Sequence, residues 1–177
     1  MNKAINIRIE SGCIIAPFTD QKIENVYRIK ICNQTGAMIT KPIRSHPYIN
    51  HAGIILGHVE NNNTKQYVVC SLKNKKNVLN NTNFHIETID KFSESGNVSI
   101  LENPVKSTLF LYKQIGIIND YLAHANEYNI LTNNCQTFAH HIFYGEPAAL
   151  SNITWHFFLL LGVAGILSTI HIIQALC

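Results

Sequence analysis

The chain has 177 residues, enough for one domain with a real core. Hydrophobic residues make up 46% and charged residues only 14%, low for a soluble domain, and the formal charge is +3. Such mild basicity suits an anionic membrane surface but is too weak to argue for nucleic acid as a partner.

Met1 to Glu10 lacks the apolar core of a signal peptide. Residues 5 to 33 alternate weakly in Ile-rich pieces, Ile5–Ile9 and Val26–Cys32, which predicts strands. Pro42, Pro47 and Asn50 bracket an expected loop. A strand follows over Ala52–Gly57, then a turn by composition over Glu60–Thr64, then a strand over Gln66–Leu72, together a hairpin. Lys73–Asn83 is polar and reads as a loop, with further strands at Phe84–Ile89 and Val98–Leu101. From Pro104 to about Ala125 the pattern turns helical, with Val105, Leu109, Tyr112, Ile115 or Gly116, and Ile118 or Asn119 marking an imperfect face. A second helix is expected from about Asn134 to Phe143, ended by Gly145 and Pro147. The two helices packed on an antiparallel sheet predict an α+β fold.

After Glu146 no Asp, Glu, Lys or Arg occurs through Cys177. Residues 155–176 form an uncharged run that begins at Trp155. At about 1.5 Å per residue such a run spans roughly 33 Å, enough for a hydrocarbon core. A single-pass C-terminal transmembrane anchor is therefore expected, with residues 147–154 as hinge and 1–146 as the catalytic portion on the cytosolic side. Cys177 is not fourth from the end, so no prenylation box exists.

Five cysteines, Cys13, Cys32, Cys70, Cys135 and Cys177, occur without any CxxC, which argues against zinc knuckles and thioredoxin chemistry. Free thiols without a signal peptide point to a reducing compartment. Cys135 follows polar turn residues and opens the second helix, where the positive end of the helix dipole favours thiolate. His51 heads a short apolar strand and is the candidate general base. His140 and His141 lie five and six residues after Cys135, outside its i+3 and i+4 contacts, and read as surface or interfacial groups. His46, His58, His85 and His124 have no distinguishing spacing, and no metal is expected. No Gly-rich phosphate loop and no Ser-centred elbow occurs.

The run Tyr128–Phe138, with Asn134-Cys135-Gln136-Thr137-Phe138 at its end and Tyr144-Gly145 after it, resembles the lecithin:retinol acyltransferase-like family. His51–Gly57 resembles that family's His-headed strand, and the likeness covers roughly residues 45 to 175. It implies a permuted papain-like thiol fold and a membrane-anchored phospholipase/acyltransferase. Cys135 would be the nucleophile and His51 the base. Glycerophospholipid acyl chains would be the substrate, and no dissociable cofactor is needed. Two departures stand out. The family's Glu-His after the cysteine is Gln136-Thr137 here, and its second histidine is replaced by Cys70, a poor hydrogen-bond partner as a possible third group. A permuted papain-like peptidase or isopeptidase, or an inactive membrane adaptor, are the alternative readings.

Overall fold

The computed structural model describes residues 6–21, 26–43, 46–61, 64–76, 81–94, 96–104, 106–124 and 134–146. The chain divides into two compact units, Met1–Pro147 and Ala148–Cys177, and every described residue lies in the first. The expected anchor at 155–176 and hinge at 147–154 fall outside the described residues. Among the described residues no helix is long and apolar enough to cross a membrane.

The fold is α+β, as expected, with one antiparallel sheet and three helices among the described residues. The strands are β1 (Arg8–Glu10), β2 (Cys13–Pro17), β3 (Val26–Lys30), β4 (Met38–Ile43), β5 (His46–Asn61), β6 (Thr64–Leu72), β7 (Phe84–Thr88) and β8 (Ser99–Glu102). The helices are α1 (Ile89–Ser93), α2 (Thr108–His124) and α3 (Cys135–Tyr144). The sheet runs β1-β2-β3-β5-β4-β8, and the hairpin partner β6 joins β5 to β7. Strand β5 is the spine, pairing with β3, β4 and β6. Residues 1 to 45, beyond what the resemblance needed, supply four strands to this same sheet.

The expected loop around Pro42 and Pro47 is instead strand. Pro42 pairs with Asn50, and β8 reaches β4 only at Met38–Thr40. Pro42 therefore lies past the end of β8, where a missing N–H breaks no ladder on that side. Helix α1 was also not anticipated. It is a single short element after β7, closed by Glu94 in the left-handed region at φ 48°. Gly57 is required by the hairpin: its φ is +146°, and a Cβ there would collide with the Lys30 carbonyl.

The sheet has two faces because side chains alternate along each strand. One face carries Ala52, Ile54, Leu56, Val68, Cys70 and Phe84 beneath α2 and α3. Phe138 of α3 is fully enclosed there, 5.7 Å from Phe84 and 4.9 Å from Tyr121 between ring centroids. Such a side chain is worth about 3–5 kcal/mol against Ala. The other face carries Ala37, Ile39, Ile55 and Val69 beneath Phe92 of α1. Helix α2 buries Ile115 and Ile118 of the expected stripe, together with Gln114 and Leu122, while its earlier members Leu109 and Tyr112 are exposed. The polar Gln114 concealed the true face. Its amide is buried because it donates to the Gly36 carbonyl at 3.4 Å.

Candidate functional site

The run Asn134-Cys135-Gln136-Thr137 builds the start of α3. Asn134 is the N-cap, extended at φ −120° and ψ 179°, and its side-chain oxygen accepts from the Gln136 and Thr137 amides at 2.9 and 3.0 Å. Thr137 Oγ1 in turn accepts from the Asn134 amide at 2.9 Å, which closes a capping box. Gly145 ends the helix in the left-handed region, its N–H donating to the His141 carbonyl at 2.8 Å. Cys135 is thus the first helical residue, and it is buried. It begins the stripe that continues through Phe138, Ala139 and Ile142, which packs on the Ala52–Ile54–Cys70 face.

The departures at Gln136 and Thr137 have clear structural roles. Thr137 completes the cap. Gln136 Nε2 donates to the Asn50 carbonyl at 3.1 Å and ties the residue after Cys135 to the residue before His51. The start of α3 is therefore clamped against β5.

His51 itself lies on the other face of β5. It pairs with Lys41 of β4, and its ring stacks on Phe92 with centroids 5.0 Å apart. Gly53, two residues on, also faces Phe92: a Cβ there would meet the ring at 3.0 Å. His51 and Gly53 therefore share the Phe92 side of β5, while Gln136 ties the start of α3 to Asn50, the residue before His51. In a strand of period two, the neighbours Asn50 and Ala52 face α3 and His51 turns away. His51 is 8% exposed, and its Nε2 has no hydrogen-bond partner among the described residues. Burial, followed by the Lys73 and Lys41 charges, pushes its pKa down to about 3, with Glu94 opposing. The imidazole is neutral throughout the physiological range.

Cys70 pairs with Ile54 and is fully buried in the α3-side core. Burial pushes its thiol well up, against weaker help from backbone hydrogen bonds. It belongs to the core cluster that holds Ala52, Ile54 and Phe138.

The sequence reading missed what does surround His51. Ser71 pairs with His85 on the same sheet face, and both are buried. Lys73 Nζ lies 2.6 Å from Glu87, Lys41 Nζ lies 2.9 Å from Glu94, and His85 Nε2 lies 2.7 Å from the Lys75 carbonyl. The alternation Phe84-His85-Ile86-Glu87 was a visible signal of a strand with one polar face. Nothing local marks that polar face as covered. His141 contacts the Tyr121 hydroxyl through Nδ1 at 3.2 Å, and His140 lies against the Tyr144 ring, so both are half-buried helix-seam groups. The side chains of His46 and His124 lie outside the described residues. Compared with family models, curated proteins and solved structures, the chain matches none of them.

Proposed function

We propose that this chain is a thiol-dependent acyl enzyme, a phospholipase/acyltransferase of the lecithin:retinol acyltransferase-like, permuted papain-like type, held at a membrane by residues 155–176. The observation that carries the reading is Cys135 as the first residue of a boxed helix clamped onto the central strand through Gln136 and Asn50. A thiol at that place gains from the helix dipole, which favours its nucleophilic form. The thiolate sulfur bonds to the acyl carbon of a glycerophospholipid ester. The ester C–O bond breaks, and the leaving oxygen takes a proton from solvent as lysophospholipid. Water, or an alcohol or amine acceptor, then cleaves the thioester and returns the thiol. The bilayer raises the local concentration of substrate.

Incubation with phosphatidylcholine followed by intact-mass measurement tests this. A gain of one acyl chain, absent in Cys135→Ala, is the expected outcome. A wild-type protein that never gains the adduct and releases no fatty acid removes the enzyme reading.

Cys70, buried in the core where the resemblance places a second histidine, favours a second reading: a membrane-tethered adaptor that keeps the fold without the reaction. Under that reading iodoacetamide alkylates Cys135 only as pH approaches the ordinary thiol value of about 8.5. Under the enzyme reading alkylation is already fast near neutrality.

A further inference from the structure

We infer that the start of α2, with the end of α3 beside it, is a face of the first unit that sits on a phospholipid bilayer. The inference rests on the reading of 155–176 as a membrane segment. Leu109 is 81% exposed and Tyr112 54% exposed, although α2 has a separate buried stripe. Between them lies an open depression of about 700 Å³ lined by Ser107, Leu109, Phe110, Tyr112 and Lys113. Half-buried Phe110 meets the buried Phe143 at 6.4 Å between centroids, and Phe143 meets the exposed Tyr144 at 5.0 Å, so the core ring Phe143 connects the start of α2 to the end of α3. Large side chains exposed at Leu109, Tyr112 and Tyr144 over an apolar depression call for a partner.

Charge and chain path identify that partner. The first turn of α2 carries no acidic residue, and the exposed Lys106 and Lys113 flank the apolar tip. Two carboxylates stand at the end of α3: Glu102, engaged by the Tyr144 hydroxyl at 3.2 Å, and the exposed Glu146 just past Gly145. Leucine at the tip, tyrosine at its side and lysines at the rim match the layering of a lipid interface. Gly145 backs onto the Lys113 side chain, so the chain leaves α3 beside this patch. From Gly145 to Trp155 is ten residues, at most about 33–36 Å of extended chain. A bilayer holding the uncharged run is within reach of the patch.

Tryptophan emission separates this inference from the anchor reading, because Trp155 is the single tryptophan. The full chain is reconstituted in vesicles of phosphatidylcholine and phosphatidylserine brominated on the acyl chains, which quench tryptophan on contact. Quenching of wild-type Trp155 reports the anchor. In a Tyr112→Trp, Trp155→Phe variant the new indole reports the patch, with Leu109→Trp, Trp155→Phe as an independent reporter. The expected result is quenching and a blue shift at both patch positions. Adding Leu109→Glu to the Tyr112→Trp variant should relieve the quenching there, while Trp155 stays quenched in Leu109→Glu alone. Trp155 quenched with both patch reporters unaffected overturns the inference and leaves the anchor reading intact. Patch reporters already blue-shifted before vesicles are added also overturn it, since protein then covers the face. Patch reporters quenched with Trp155 unaffected sustain the bilayer face and remove the anchor.

Discussion

A neutral, stacked His51 has a measurable consequence for acid stability. Its pKa falls from 6.5 to about 3 on folding, with burial as the first cause. The unfolded chain therefore binds a proton below 6.5 that the folded chain refuses until near 3. The stability this group contributes is complete above 6.5 and is lost as pH falls through that window. Between 6.5 and pH 5 the loss accumulates at about 1.4 kcal/mol per pH unit, or about 2 kcal/mol. The perturbation is His51→Gln, which keeps polar atoms in the site but removes the titration. Urea unfolding of the full chain at pH 8 and pH 5 measures the effect. Wild type should lose about 2 kcal/mol more than the variant across that interval. Equal losses in the two proteins would refute the buried neutral imidazole. His85 is also pushed down by burial, and it contributes equally to both proteins and cancels.

Three substitutions probe the elements that position Cys135. Asn134→Ala removes the oxygen that accepts from two α3 amides and should cost about 1–2 kcal/mol by thermal or urea unfolding, with slower alkylation of Cys135. Gly57→Ala forces a Cβ against the Lys30 carbonyl at a φ that L side chains rarely adopt, and should destabilise by at least about 1–3 kcal/mol. Cys70→Ser buries a hydroxyl in the apolar core and should cost about 1–3 kcal/mol while leaving the Cys135 alkylation rate per folded molecule unchanged, which separates a core role from a catalytic one.

The parts of this fold legible in the sequence were those fixed by local chemistry. Asn134, Thr137 and Gly145 announce both ends of α3, because capping and the left-handed turn are short-range requirements. The β5–β6 hairpin follows from two β-rich runs around Asn61 and Thr64. The side of the sheet that each residue faces was not legible. His51 heads an apolar run in which Ala52, Ile54, Leu56 and, on the other face, Ile55 are all buried. With both faces covered, periodicity carries no sign of which helix a given residue meets. Leu109 and Tyr112 misled for the converse reason: apolar residues at helical spacing mark a buried face only when nothing else, such as Gln114, has a tertiary hydrogen bond to make.

The facing of β5 fixes which side chains the chemistry of Cys135 should feel. A slip of one residue would bring His51 under α3, but two contacts oppose it. Gly53 admits the Phe92 ring where any Cβ would crowd it, and Gly57 admits the Lys30 carbonyl. A tie between the first turn of α3 and the strand runs through Gln136 and the Asn50 carbonyl. Losing that bond frees the first turn of α3 and misplaces the sulfur by the small distances to which attack geometry is sensitive. Gln136→Ala should thus lower acyl-thioester accumulation, read by intact mass at pH 8 with variant and wild type compared at equal folded fraction. An adduct that accumulates undiminished in Gln136→Ala would show that this bond does not position the thiol.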